Sequence, residues 1–227
     1  MTGKFIVIDG VDGSGKGTQT RLLIKNLKSK GFEVVEYDFP RYGEKSAVMV
    51  EEYLNGNLGS VNEVDSYQAS VLYAVDRFAA SKDMKNDLKQ GKIIISNRYV
   101  SSNKIHQSSK IKDQKKLAEF LVWLEDLEYE KLKIPLPDKV VFLNMDYQIG
   151  RELVLKKEAE ERKYLKGKKR DLHEENETHM KEAHQRACSL VKKYDDWVEI
   201  KCDEKGGPRS IDSIQEDLLK IVLEIIK

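Results

Sequence analysis

The stretch KFIVIDGVDGSGKGTQTRLLIKNLKSKG, residues 4–31, limits the possible folds more than any other. A short apolar run passes through a glycine-rich turn into a segment of helical periodicity that stops at Gly31. The run reads as a buried strand, which needs helices over both faces. The turn holds Gly10, four residues, then Gly15 and Lys16. Gly10, Gly13 and Gly15 let the backbone close its N–H groups around an anion. The helix that starts near Lys16 aims its positive end at the same point, and Lys16 adds a full charge. A plain glycine turn is the alternative. Loops of this kind usually carry Ser or Thr directly after the lysine to hold magnesium. Here Gly17 stands there, and Thr18 comes one place late.

The same alternation continues along the chain. FEVVEYD (32–38), KIIIS (92–96), DKVVFLNMD (138–146) and WVEIKC (197–202) read as strands, apolar on both faces. Helical patterns fill 46–56, 64–91, 113–132, two stretches between residue 146 and Lys193, and 210–226. Strands alternating with helices imply an α/β fold with a parallel sheet. No repeat or low-complexity linker divides the chain. Residues 1–227 are therefore read as one domain, with 162–176 as a mobile insert.

Composition narrows the classes. The 227 residues hold 40 basic and 39 acidic side chains, a formal charge of +1, so the overall basic excess of a nucleic-acid binder is absent. Cys188 and Cys202 are too few for a disulfide framework and lack metal-ligand spacing, so they read as ordinary thiols. The apolar run ending at Asp9 is too short for a signal peptide or a membrane span. A cytoplasmic protein without a membrane partner is expected.

Three segments carry further chemistry. FPRYGE, from Phe39, follows the second strand, where open α/β sheets face their ligand crevice. An aromatic, a rigid proline and an arginine there suit a base pocket, or a simple loop. YAVDR places Tyr73 and Arg77 four residues apart on one helix face. A ring to stack on a base and a guanidinium to hold a phosphate would project together; on spacing alone, a core contact with an exposed ion pair fits better. IIISNRYVSSN ends a strand with Asn97, Arg98 and Tyr99. An arginine directly after a buried strand needs a partner, and Ser102 and Asn103 offer hydrogen bonds to a base edge.

GVDGSGKGT, FPRY, YAVDR, NRYVSSN and PDKVVFLNMD together resemble the thymidylate kinase family, across roughly residues 3–180. The resemblance implies a P-loop kinase fold: a five-stranded parallel sheet flanked by helices, with a small lid. It implies transfer of phosphate from ATP to dTMP with Mg²⁺, and commonly a homodimer. ATP would meet Gly10, Asp12, Gly13, Ser14, Gly15, Lys16, Gly17, Thr18 and Arg162. Phe39, Tyr42, Tyr73, Arg77, Arg98, Tyr99, Ser102, Asn103 and His106 would form the dTMP site. Asp12 would lie near sugar, acceptor phosphate or magnesium.

Arg162, Lys163, Lys166, Lys168, Lys169 and Arg170 crowd the 162–176 insert. Such a run is usually a solvated face, but here it fits a lid closing over ATP. Family members place a catalytic arginine either in the phosphate loop or in the lid. This loop has none, so Arg170, then Arg162, is expected to supply it, with Asp171 and His173 nearby. Lys16, Arg98, Arg170 and Asp12 are thus the expected catalytic set.

Two positions depart from the family pattern. Asn97 replaces the aspartate usual before Arg-Tyr, and an amide cannot pair with a cation as a carboxylate does. His106 replaces an aromatic that often screens the sugar 2′ position. Another nucleoside monophosphate kinase (for dUMP, AMP or UMP) and a catalytically weak nucleotide switch are the competing readings.

Overall fold

The computed structural model describes residues 3–60, 63–161 and 177–227. Five parallel strands form its sheet, β1 (Lys4–Gly10), β2 (Val34–Asp38), β3 (Ile93–Asn97), β4 (Lys139–Asn144) and β5 (Trp197–Lys201), in the order β2-β3-β1-β4-β5. All five were anticipated, and the α/β architecture is the expected one. The helices are α1 (Lys16–Ser29), α2 (Val48–Leu54), α3 (Ser66–Lys89), α4 (Val100–Ser102), α5 (Gln114–Glu125), α6 (Tyr147–Glu161), α7 (Glu177–Lys193) and α8 (Ile211–Ile226).

Alternation along β1 divides the interior in two, because successive side chains point to opposite faces. Phe5 and Val7 join Ile94 and Phe142 beneath Met84 of α3, Phe120 of α5 and Leu190 of α7. Ile6 and Ile8 join Ile95 and Leu143 beneath Leu23 and Leu27 of α1 and Leu218 of α8. The expectation of strands apolar on both faces holds for the inner three only. β2 and β5 alternate buried with less buried positions, as edge strands do when only part of each is covered.

Local signals set the helix ends. Asp65 caps α3 by accepting from Gln68 N at 2.8 Å, while Gln68 Oε1 accepts from Asp65 N at 3.0 Å. Asp113 caps α5 in the same way, accepting from Lys116 N at 2.9 Å. Three features were not foreseen. α4 runs on into a widened π-type turn over Asn103–Gln107, and α5 into another over Asp126–Lys131. A small antiparallel hairpin, β6 (Asp203–Glu204) and β7 (Gly207–Pro208), precedes α8. Both cysteines are free thiols. Among the described residues no helix is long and apolar enough to cross a membrane. The 162–176 insert, with Arg162, Arg170, Asp171 and His173, lies outside the described residues.

α7 packs on the Asn103–Gln107 turn, bringing the ring of His179 to 5.9 Å from that of His106. Burial pulls the His179 pKa down to about 4, and Lys110 and Lys112 push the same way against Asp12 and Glu182. The unfolded chain therefore takes up a proton first, and stability falls as pH drops below 6.5. Between pH 7 and pH 5 the expected loss from this residue is about 2 kcal/mol. Urea unfolding across that range checks it: a His179→Asn variant shows a flatter pH dependence.

Candidate active site

The loop after β1 is shaped by backbone contact. Gly13 has φ +80°, and a Cβ there would lie 2.0 Å from the carbonyl oxygen of Gly150 in α6. Gly15, φ +82°, caps α1, so the first free N–H groups of that helix face the loop. Lys16 Nζ donates to Val11 O at 3.3 Å and to Asp12 Oδ1 at 3.2 Å.

The end of β3 comes up beside this loop. Ile8 pairs with Asn97, and Arg98 N donates to Ile8 O at 2.9 Å. Arg98 takes φ +63°, a left-handed conformation uncommon for a residue with a Cβ. The turn directs its guanidinium back over the loop. There Nη2 donates to Asp12 Oδ1 at 2.5 Å, and Nη1 lies 3.0 Å from His106 Nε2 and 3.4 Å from Ser102 Oγ. Asp12 thus sits between two cations. Burial alone would raise its pKa, but Lys16 and Arg98 outweigh burial and hold the carboxyl well below the usual carboxylate range. Burial and the Arg98 charge lower the pKa of Lys16.

Asp9, which the sequence reading used only to end an apolar run, fixes the other side. It is fully buried, and Oδ2 accepts from Ser101 Oγ at 2.5 Å and Ser102 Oγ at 2.9 Å. This anchors the segment that carries Arg98 and His106 to the central strand.

Two clefts flank the loop. The first, of about 150 Å³, takes Asp12 from the loop and Phe39 and Tyr42 from the turn after β2. α3 gives it Tyr73 and Arg77, and the segment after β3 gives Arg98, Tyr99, Ser102, Asn103 and His106. All nine residues expected for an acceptor site therefore line one cavity. Phe39 and Tyr99 form a wall, with ring centroids 5.6 Å apart, and Tyr99 Oη donates to Pro135 O at 3.0 Å. Asn103 Nδ2 donates to Ser70 O at 3.3 Å. Tyr42 is largely exposed at the rim.

Arg77 departs from the picture of an open charge awaiting phosphate. It is 2% exposed, its Nε lies 3.1 and 3.0 Å from the two carboxylate oxygens of Glu128, and its Nη2 donates to Oε1. Glu128 was not foreseen, because its partner lies 51 positions away. Nor was Asp76, which is buried and accepts from Arg41 Nε at 3.0 Å and Ser46 Oγ at 2.7 Å, tying down the turn after β2.

The second cleft, of about 750 Å³, is lined by Gly13, Ser14, Gly15, Lys16, Gly17 and Thr18, six of the residues expected to meet ATP. Gly10 lies beneath the loop, where a Cβ would meet Ser14 Oγ at 2.5 Å. Asp12 faces the first cleft instead. The far wall is apolar, from Leu153, Val154, Pro208 and Ile211, with Arg209 among them. Arg209 is held by Lys201 O at 2.6 Å, Ser213 Oγ at 2.6 Å and Asp217 Oδ2 at 2.8 Å. Asn97 also lines this cleft; its Nδ2 donates to Asp38 Oδ1 at 2.8 Å. Its Oδ1 is buried without a hydrogen-bond partner among the described residues.

Among the described residues no three His, Cys, Asp or Glu side chains gather into a metal cage. The donor set fits a magnesium ion that arrives on nucleotide phosphates, since Mg²⁺ keeps few protein ligands. Asp12 is the loop carboxylate that would hold it.

A parallel sheet with a glycine-rich loop leaving its central strand, and two clefts meeting at that loop, define a P-loop nucleotide-binding protein of the kinase type. The thymidylate kinase family model matches residues 8–205. The thymidylate kinase of Mycobacterium tuberculosis is 29% identical over 149 residues, spanning 65% of this chain and 69% of that protein. That of Plasmodium falciparum is 27% identical over 232 residues, spanning 98% and 91%. The solved thymidylate kinase of Candida albicans superposes with a TM-score of 0.73 at 21% identity, covering 100% of this chain and 94% of its own, a likeness of fold. The chain belongs to the thymidylate kinase family.

The Arg77–Glu128 pair gives a stability test. Removing one partner strands a buried charge, so Glu128→Ala is expected to cost about 3–5 kcal/mol. Replacing both, as Arg77→Met with Glu128→Leu, should recover most of that loss. Denaturant melts of the three proteins compare the two outcomes.

Proposed function

We propose that this chain transfers the γ-phosphoryl group of ATP to dTMP, giving ADP and dTDP, with the donor in the second cleft and the acceptor in the first. The observation that carries this reading is the contact of Asp12 with both Lys16 and Arg98, which links Lys16 in the second cleft to Arg98 in the first, in a chain of this family. A phosphate oxygen of dTMP attacks the γ-phosphorus in line, the bond to the β–γ bridging oxygen breaks, and ADP leaves. Such a transfer asks for positioning and charge stabilisation rather than covalent help from the protein.

Lys16 and the backbone N–H groups of residues 13–18 hold the donor phosphates. Arg98 holds the dTMP phosphate and exchanges Asp12 for it as substrate enters. Phe39, Tyr42, Tyr73 and Tyr99 enclose the acceptor, Arg77, Ser102 and Asn103 address its base, and His106 stands near the sugar. Magnesium, when bound with ATP, neutralises charge on the phosphates, and Asp12 is its proposed protein contact. Arg170, with Arg162 second, is the proposed lid arginine, and 162–176 the lid of a single domain. The proposed setting is cytoplasmic.

The test is ADP release from ATP–Mg²⁺ with dTMP, dUMP, dGMP, AMP or UMP against a blank without acceptor. A dominant dTMP rate is expected; no dTMP-dependent rate overturns the reading. Lys16→Ala and Arg98→Ala should each lower kcat/KM at least about a hundredfold.

A homodimer is also proposed. Tyr67, Val71, Val75 and Phe78 stand exposed along one face of α3, at helical spacing. Light scattering is expected to give twice the chain mass, and Phe78→Asp to shift it toward one.

A further inference from the structure

Glu128 touches neither cleft, yet it holds a residue that lines one. It is the only fully enclosed side chain of the Asp126–Lys131 segment, where the α5 helix widens into a π-type turn. Such turns re-aim a side chain relative to the helix before them. This one points a carboxylate into the interior beneath α3, where Arg77 meets it.

The pairing consumes specific donors. Nε and Nη2 of Arg77 are engaged by Glu128. Nη1 makes a long contact of 3.4 Å with Tyr99 O and is the one terminal nitrogen that Glu128 does not engage, on a side chain that lines the acceptor cleft. A bidentate carboxylate fixes the plane of a guanidinium, so the direction of Nη1 is fixed as well. Stability alone gives weak grounds for keeping such a pair, because apolar residues of similar volume usually serve a buried position as well or better. A charged group retained at the floor of a ligand cleft suits recognition.

We propose that Glu128 is a positioning residue for acceptor selection: it fixes Arg77 so that Nη1 is offered to a carbonyl oxygen on the acceptor base. The inference rests on the acceptor reading given above and adds the group that sets the geometry. A base with a carbonyl at this edge, as in thymine or uracil, accepts from Nη1. Cytosine presents an amine there, and donor would face donor. A site built to make one hydrogen bond rejects the analogue that cannot make it, because its own buried group is left unpaired.

The test is Glu128→Gln in the full chain, a change of charge at nearly constant shape. KM and kcat are measured for dTMP and dCMP, with thermal unfolding run alongside. The expected result is a rise of tenfold or more in KM for dTMP, with kcat changed less than threefold. The preference for dTMP over dCMP in kcat/KM should narrow by a similar factor. A purely structural pair would lower the active fraction and leave that preference intact, and this result overturns the proposal. Should Glu128→Gln fail to fold, Glu128→Asp keeps the charge and shortens the arm that holds Arg77; it carries the same expectation, and unchanged selectivity overturns the proposal equally. If the wild type phosphorylates no monophosphate, the acceptor reading fails by itself. Calorimetric binding of dTMP and dCMP to wild type and variant then still decides the role of Glu128.

Discussion

β1 is enclosed from every side, and the rest of the molecule is arranged around that fact. It pairs with β3 on one edge and β4 on the other, and Phe5 through Gly10 are all buried. No solvent is left to satisfy its polar groups, so each must find a protein partner. Asp9 is the extreme case. A carboxylate in that position is tolerable because Gly10 N, Ser101 and Ser102 all donate to it. These bonds draw the chain after β3 against the end of β1, and the loop and Arg98 come together as a result. The active site is in this sense a by-product of making the central strand acceptable.

The two cleft arginines illustrate different uses of one side chain. Arg77 is sealed against Glu128, with exposures of 2% and 0%, and water has little access to the pair. Arg98 and Asp12 are each 20% exposed, and Asp12 is shared with Lys16. A phosphate can replace Asp12 as the partner of Arg98 without stranding a charge, because Lys16 remains beside the carboxylate. The first arrangement favours a fixed direction of hydrogen bonding, the second a replaceable counter-ion.

Much of this was legible from the sequence because it is encoded locally. KFIVID, KIIIS and DKVVFLNMD are strand signals whose neighbours need not be known, and Gly13, Gly15 and Lys16 announce an anion loop by spacing. The nine residues expected for an acceptor site line one cavity; strand ends and one helix face pointed to some of them, and the family resemblance supplied the rest. Glu128, Asp9 and Asp76 escaped because their meaning lies in partners far along the chain. The turn at Asn103–Gln107 escaped because a widened helical turn has no periodic signature of its own. The exposed faces of β2 and β5 followed from the order of strands in the sheet, which alternation of elements does not specify.

The contact between Gly13 and Gly150 reaches beyond the loop. Glycine inside a helix lowers its stability by roughly 1 kcal/mol relative to alanine, yet α6 carries one at its fourth position. A Cβ on Gly150 would stand 2.6 Å from Asp12 O, just as one on Gly13 would strike Gly150. The two backbones touch where no side chain fits, so the residues behave as a single site written in two places. A side chain at either position meets backbone of the other segment, so each is barred while the two backbones stay where they are. A helix with no chemistry of its own inherits the restriction of the loop, and descendants of this chain can change the pair only by first moving α6 away.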